Sequence, residues 1–97
     1  MYSVYISARV KERMKQLAEY IYDEFGSKSE KCFLDKLNRS INIIIQNPYS
    51  FRVCDNMTDI RMCVVTSQNI LYYTITNEQI RLLSLEDTRM NPDKTSI

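Results

Sequence analysis

Histidine and tryptophan are absent from the 97-residue sequence, glycine occurs once and proline twice. Without histidine, the chain lacks the side chain best suited to moving protons near neutral pH and a common ligand of zinc. One glycine and two prolines leave little room for long irregular or low-complexity segments. These absences indicate a domain built mostly of helices and strands, with few groups available for acid–base chemistry.

Long apolar runs are also missing. The longest uncharged apolar stretch surrounds Ile43, Ile44 and Ile45, far short of the roughly 20 residues that span a bilayer. Charged residues between positions 9 and 13 follow only a few apolar ones, which is unlike a signal peptide. We expect a cytoplasmic protein without a membrane segment, formed by one domain over residues 1–92 and a flexible tail at residues 93–97.

Neither sign of charge dominates. Thirteen Lys and Arg residues stand against twelve Asp and Glu residues, a net charge of +1, which excludes strong, unselective attraction to nucleic acid. Cys32, Cys54 and Cys63 are an odd number without C-x-x-C spacing, and in a chain without histidine they do not form a zinc set. We predict three buried, reduced thiols, no metal and no cofactor.

The first half of the chain has the pattern of one strand and two helices. Residues 2–7 alternate as a strand does, and Ser7 is placed to cap a helix. Apolar residues then recur every three or four positions: Val10, Met14, Leu17, Ile21 and Phe25. Gly26 is a C-cap signal. A second stripe follows, capped by Ser27 or Ser29 and ending at Asn47, before Pro48: Phe33, Leu37, Ile41 and Ile44.

After Pro48 the pattern changes to short strands. They are predicted at residues 51–54, 60–66, 70–75 and 80–85, separated by polar segments at residues 55–59 and 67–69 and near Asn77. Short turns join antiparallel neighbours. The predicted fold is therefore α+β, in the order β-α-α-β-β-β(-β), with a helical hairpin packed on a small antiparallel sheet.

The order, spacing and length of these segments resemble the RelE/ParE superfamily of type II toxin–antitoxin toxins over about residues 2–92. The shared pattern includes the opening strand at residues 5–7, the helical sequence at residues 17–21, and the tyrosines at residues 72–73. It closes with D-T-R-x-N-P at residues 87–92. No single piece is specific, and the resemblance depends on all of them together.

The resemblance implies a bacterial toxin that arrests growth and is neutralised when a partly disordered segment of a co-expressed antitoxin folds over it. Two targets occur in the superfamily. RelE-like members cut mRNA on the ribosome without a metal, whereas ParE-like members bind DNA gyrase and are not nucleases. A member that has lost toxicity and keeps only its antitoxin-binding surface is a third alternative. A homodimer or a toxin–antitoxin hetero-oligomer is compatible with each.

RNA cleavage needs a base, an acid and cations that stabilise the charged transition state. The candidates here are Arg61, Arg81 and Arg89 as cations and Glu86 as base. The resemblance implies that RelE-like members use a Tyr or His near the C-terminal strand as acid or base. No Tyr follows Tyr73 and no His is present, so an acid for the leaving group is not evident. Two alternative roles are structural: an ion pair between Glu86 and Arg89, and a carboxylate partner for Arg61.

The last strand also offers a binding surface. In period two, Arg81, Leu83 and Leu85 share one face. Together with Tyr72 and Arg89 they are the candidate partner contacts, whereas Tyr73, which points the opposite way from Tyr72, is expected in the core. This pattern favours a ParE-like toxin that inhibits gyrase by binding over a ribosome-dependent endoribonuclease.

Overall fold

The computed structural model describes residues 2–55 and 57–89. The closing Asn91 and Pro92 of the shared pattern and the predicted tail at residues 93–97 lie outside the described residues. In chain order the elements are β1 (Ser3–Ile6), α1 (Ala8–Phe25), α2 (Ser27–Gln46), a 3-10 turn (Pro48–Ser50), β2 (Val53–Cys54), β3 (Met57–Val64), β4 (Asn69–Thr76) and β5 (Gln79–Asp87). This is the predicted order, and the α+β fold class is confirmed.

The helices begin and end for local reasons. The Ser7 hydroxyl accepts a hydrogen bond from the backbone N–H of Val10 at 3.2 Å and caps α1. Gly26 ends α1 with φ 95° and ψ 173°, a conformation that residues with a Cβ rarely adopt. Because α2 starts directly at Ser27, neither Ser27 nor Ser29 caps it, contrary to our prediction. Gly26 serves both helices.

The five strands form one sheet in the order β1-β5-β4-β3-β2. Strands β2 to β5 are antiparallel neighbours, as predicted, but β1 pairs in parallel with β5, with Val4 opposite Ile80. The sheet is therefore mixed. Turn lengths predict pairing only between strands that follow each other in the chain. They could not predict that β1 pairs with β5, because all the other elements lie between these two strands in sequence. The polar segment expected at residues 55–59 is shorter, because β3 already begins at Met57.

Both helices pack on the same side of the sheet, which we call the core face. The buried residues that form this core come from both helices and the central strands: Val10, Leu17, Ala18, Ile21, Phe33, Leu37, Ile44, Cys63, Val65, Leu71, Tyr73, Ile80, Leu82 and Leu85. Tyr73 is fully buried, as predicted. The opposite side, the outer face, carries the alternate strand residues, among them Tyr5, Val64, Tyr72 and Arg81.

A β-bulge changes which residues of β5 point outward. Tyr72 lies opposite Ser84 and Tyr73 lies opposite Leu82, so Leu83 is an extra residue with no partner on β4. One inserted residue reverses the alternation beyond it. Leu85 consequently joins Leu82 in the core and is fully buried. The prediction that Leu85 shares a face with Arg81 is wrong for this reason.

The cysteines differ from one another in exposure. All three are free thiols; Cys63 is buried, Cys54 is half-buried, and Cys32 is exposed. The prediction of three buried thiols is therefore wrong for Cys32, which lies on the solvent side of α2 beside the buried Phe33. Within residues 2–55 and 57–89, no helix combines the length and apolarity needed to cross a membrane.

Candidate functional site

The four candidate catalytic residues do not converge. Arg81 and Glu86 lie five positions apart on β5, which separates their backbones by about 15 Å. Arg61 lies on β3 opposite Tyr73, and Arg89 follows the end of β5. Each of the four side chains has its own local partners, described below.

Arg61 is held by backbone oxygens. Its Nη1 donates to the carbonyl of Phe51 at 2.6 Å and to that of Tyr49 at 3.3 Å. The guanidinium also lies 5.1 Å from the centre of the Tyr49 ring. The alternative that Arg61 pairs with a carboxylate is wrong for the described residues, among which Arg61 has no ion-pair partner and its Nη1 donates to carbonyl oxygens. A cavity of about 310 Å³ beside it is also lined by Asp59, whose carboxylate opposes phosphate there.

Glu86 contacts Arg13, a residue that the sequence did not single out. Arg13 Nη2 lies 3.5 Å from Glu86 Oε1, and Arg13 Nε donates to the carbonyl oxygen of Leu85 at 3.1 Å. The expected pair between Glu86 and Arg89 is therefore wrong. Only its spacing could have indicated that Arg13 faces the sheet, since it lies three positions after Val10 and four before Leu17 on the buried stripe of α1.

Arg89 instead binds Asp87, whose side chain is fully buried. Asp87 accepts hydrogen bonds from the Arg89 backbone N–H at 2.8 Å, from Arg89 Nη2 at 2.7 Å and from Asn69 Nδ2 at 2.8 Å. The Arg89 guanidinium lies 4.8 Å from the centre of the Phe25 ring. This network connects the end of β5 to the end of α1. Asp87 and Arg89, both part of the shared closing pattern, therefore have a structural role.

Burial would raise the pKa of Asp87, but the hydrogen bonds from Arg89 and Asn69 outweigh it and leave that pKa below its usual value. Asp87 is therefore a carboxylate at neutral pH. Burial raises the pKa of Tyr73 to about 12, and its hydroxyl donates to the Pro48 carbonyl oxygen at 2.6 Å. Tyr73 is thus a structural hydrogen-bond donor with no free proton to give a substrate.

The outer face offers surface to a partner. Val64 is 63% exposed and Tyr5 is 47% exposed. The Arg81 guanidinium lies 5.2 Å from the centre of the Tyr5 ring, and its Nε donates to Gln79 Oε1 at 3.1 Å. Tyr72 lies on this face, but it is only 5% exposed and can offer a partner little surface. Val64 and Tyr5 were missed because exposure of a strand residue depends on what covers the sheet.

Of the predicted partner contacts, Arg81, Leu83 and Arg89 keep accessible surface, and Tyr72 and Leu85 do not. That the accessible ones bind a partner stays a prediction. Among the described residues, no three His, Cys, Asp or Glu side chains are grouped so that they could hold a metal ion.

Comparison with known proteins places this arrangement in a family. The sequence family described as ParE toxin of type II toxin–antitoxin system, parDE, matches residues 4–92. No curated protein is similar enough in sequence to count as a relative.

Solved structures share the fold at low sequence identity. The chromosomal ParDE toxin–antitoxin system from P. aeruginosa contains a chain 9% identical to this one, with a TM-score of 0.74 over 90% of this chain and 96% of that chain. The E. coli DinJ–YafQ complex gives 16% identity, a TM-score of 0.66, and coverage of 94% and 98%. The YoeB–YefM complex from Staphylococcus aureus gives 17% identity and a TM-score of 0.60, with coverage of 89% of this chain and 95% of that chain.

The helical hairpin on a five-stranded sheet agrees with these structures, and the family match covers nearly all of the sequence. The chain belongs to the ParE toxin family of type II toxin–antitoxin systems, within the RelE/ParE superfamily that its sequence resembles.

Proposed function

We propose that this toxin acts in the bacterial cytoplasm by binding DNA gyrase, without cutting RNA, and that a co-expressed antitoxin neutralises it. Antitoxin binding is supported by the structural neighbours, since the YoeB and YafQ structures are complexes of YoeB with YefM and of YafQ with DinJ. Gyrase is proposed because the family match is to ParE toxins, and the outer face supports action by binding.

The observation that carries the proposal is the dispersal of the candidate catalytic groups. A general base must lie within about 3 Å of the oxygen whose proton it takes, and the cations must lie equally close to the same phosphate. Glu86 and Arg81 are about 15 Å apart along β5. Glu86 Oε1 also lies 3.5 Å from Arg13 Nη2. This dispersal supports inhibition by binding over cleavage of a phosphodiester.

The outer face suits binding by shape. Val64 supplies exposed apolar area, and Tyr5 with Arg81 forms a stacked aromatic–cation pair. Aromatic residues and arginine are enriched among the residues that contribute most to protein interfaces. Arg81 retains donors beyond the one given to Gln79, so it can bind a carboxylate or carbonyl of the partner.

The test compares two charge insertions. Val64→Asp places a carboxylate on the outer face, and we expect it to weaken gyrase inhibition about tenfold or more, because the charge would be desolvated on docking. Leu34→Asp is the matched control: Leu34 is also exposed, at 39%, but lies on α2. Equal inhibition by both variants would show that the outer face does not dock gyrase.

A second arm addresses the nuclease alternative. Induction of the wild-type gene in a bacterium should arrest growth, which a non-toxic member would not do. Glu86→Gln and Arg61→Ala should both still arrest growth if no bond is cleaved. If both variants lose toxicity while their circular dichroism spectra show that the fold is retained, the result would support a ribosome-dependent endoribonuclease instead.

A further inference from the structure

A second cavity, separate from the outer-face residues Val64, Tyr5 and Arg81, lies between the start of α1 and the end of β5. Its volume is about 230 Å³, smaller than the roughly 300–1,000 Å³ of sites for whole small molecules. That volume suits one long side chain. We call it the β5 cleft, and its lining residues are Arg9, Val10, Arg13, Leu83, Ser84 and Glu86.

The cleft lies along an open strand edge. β1 pairs with β5 only as far as Ile6 opposite Leu82. In the described part of the chain, residues 83–87 have β4 on one side and no strand on the other. Such an edge presents backbone N–H and C=O groups to which an extended peptide can add. Arg13 Nε already binds one of these groups, the Leu85 carbonyl.

The charge of the cleft is positive. Arg9 is exposed, and among residues 2–55 and 57–89 it has no ion-pair partner. Arg13 contacts Glu86 at 3.5 Å, a long distance for a charge-assisted hydrogen bond. Two guanidinium groups therefore face one carboxylate. The first turn of α1 contains no acidic residue, so the positive end of the helix is not neutralised there.

Ser84 adds an unused polar group. Its Oγ is shielded from solvent and has no hydrogen-bond partner among the described residues. Buried polar groups are nearly always paired, because an unpaired buried hydroxyl destabilises the fold. A serine hydroxyl can donate to a carboxylate oxygen, and rotation about the Cα–Cβ bond can turn the shielded Oγ toward the cleft that Ser84 lines. An acidic side chain in the cleft would supply the missing acceptor.

We propose that the β5 cleft binds one Asp or Glu side chain of an extended antitoxin segment whose backbone adds to the open edge of β5. Arg9 and Arg13 bind the carboxylate, and the Ser84 hydroxyl donates to it. The identification of the partner as an antitoxin rests on the proposed function. The carboxylate-binding chemistry of the cleft does not.

The test uses two capped peptides that differ only in charge, acetyl-Val-Glu-Val-amide and acetyl-Val-Gln-Val-amide, with inorganic phosphate as a third probe. Nitrogen-15 NMR of the full chain reports on the backbone amides of Ser84 and Leu85 and on the Nε groups of Arg9 and Arg13. We expect the Glu peptide to shift these signals with an affinity at least about tenfold above that of the Gln peptide. Equal affinities of the Glu and Gln peptides overturn the proposal. So does a result in which phosphate shifts these signals and neither peptide does.

Variants locate the binding site. Arg9→Gln should weaken the Glu peptide about tenfold and Ser84→Ala about threefold, since each removes one donor to the carboxylate. Lys15→Gln is the matched control, because Lys15 is an exposed cation on the same helix that does not line the cleft. If Lys15→Gln weakens binding as much as Arg9→Gln, the attraction is unselective and the cleft is not the site.

The titration involves neither gyrase nor an antitoxin, so the two proposals fail separately. Gyrase inhibition without binding of the Glu peptide overturns the cleft assignment and leaves the proposed function intact. Binding of the Glu peptide by a chain that neither arrests growth nor inhibits gyrase confirms the carboxylate site and overturns the proposed function.

Discussion

Replacing Asp87 with Asn should destabilise the fold by about 2–4 kcal/mol, although the two side chains have nearly the same shape. Asp87 Oδ1 accepts from the Arg89 backbone N–H and from Arg89 Nε, and Oδ2 accepts from Asn69 Nδ2 and Arg89 Nη2. In the Asp87→Asn variant an amide nitrogen replaces either Oδ1 or Oδ2, and its N–H groups then face the two N–H donors that bonded to that oxygen. Two of the four hydrogen bonds are then lost in either orientation.

The magnitude follows from what remains buried. A net hydrogen bond contributes about 0.5–1.5 kcal/mol, and one to a charged group contributes about 1.5–3 kcal/mol. Two bonds of the second kind would sum to about 3–6 kcal/mol. The Arg89 side chain is 30% exposed, so water compensates part of this loss and the expected total is about 2–4 kcal/mol. In a domain of this size the melting temperature should fall by about 10–25 °C.

Asp55→Asn is the control, because it makes the same chemical change in an exposed ion pair. Asp55 Oδ1 lies 3.2 Å from Arg52 Nη2, and the two side chains are 84% and 67% exposed. Such pairs contribute about 0–1 kcal/mol. Urea unfolding followed by circular dichroism measures both variants. A loss for Asp87→Asn within about 0.5 kcal/mol of that for Asp55→Asn would refute the assigned role of the network.

Acid should abolish the difference between the wild type and Asp87→Asn. The folded pKa of Asp87 lies below its ordinary value of 3.8, so its contribution to stability is fully present above about pH 5. It is lost as the pH falls through the unfolded pKa toward the folded one. A difference that stays constant down to about pH 2 would contradict the assignment.

Two further variants test the packing that places the site. Tyr73→Phe should cost about 1–2 kcal/mol in urea unfolding, since it leaves the Pro48 carbonyl without its donor; ultraviolet titration of the wild type should show one tyrosine with a pKa of about 12 that is absent from the variant. Gly26→Ala should cost about 1–3 kcal/mol from backbone strain alone, because an added Cβ meets no atom of residues 2–55 and 57–89 within 4 Å; an unchanged unfolding midpoint would show that the chain relaxes away from φ 95°.

Local pattern was enough to predict the helices and strands. The stripe containing Val10, Leu17 and Ile21 is buried as its spacing requires, and Gly26 separates the helices where the sequence indicated. Phe25 continues the stripe in sequence but is 49% exposed, because the helix ends there. Its ring lies beside Arg89, a contact that depends on where β5 ends.

The errors about the candidate site arise from contacts between distant parts of the chain. The alternation of β5 fails at Leu83 because a bulge depends on pairing with β4, which periodicity alone does not contain. The partner of Glu86 is Arg13, 73 positions away. The Asp87 network also requires Asn69, 18 positions away. Residue types indicated the candidate groups, but the tertiary fold determines which of them meet.

The central claim is inhibition by binding alone, and one side-by-side measurement with purified protein tests it most directly. The assay follows supercoiling by DNA gyrase and, in parallel, the integrity of mRNA on translating ribosomes. We predict that supercoiling is inhibited in proportion to the concentration of the protein while the mRNA stays intact. Cleaved mRNA together with unimpaired supercoiling would contradict the account.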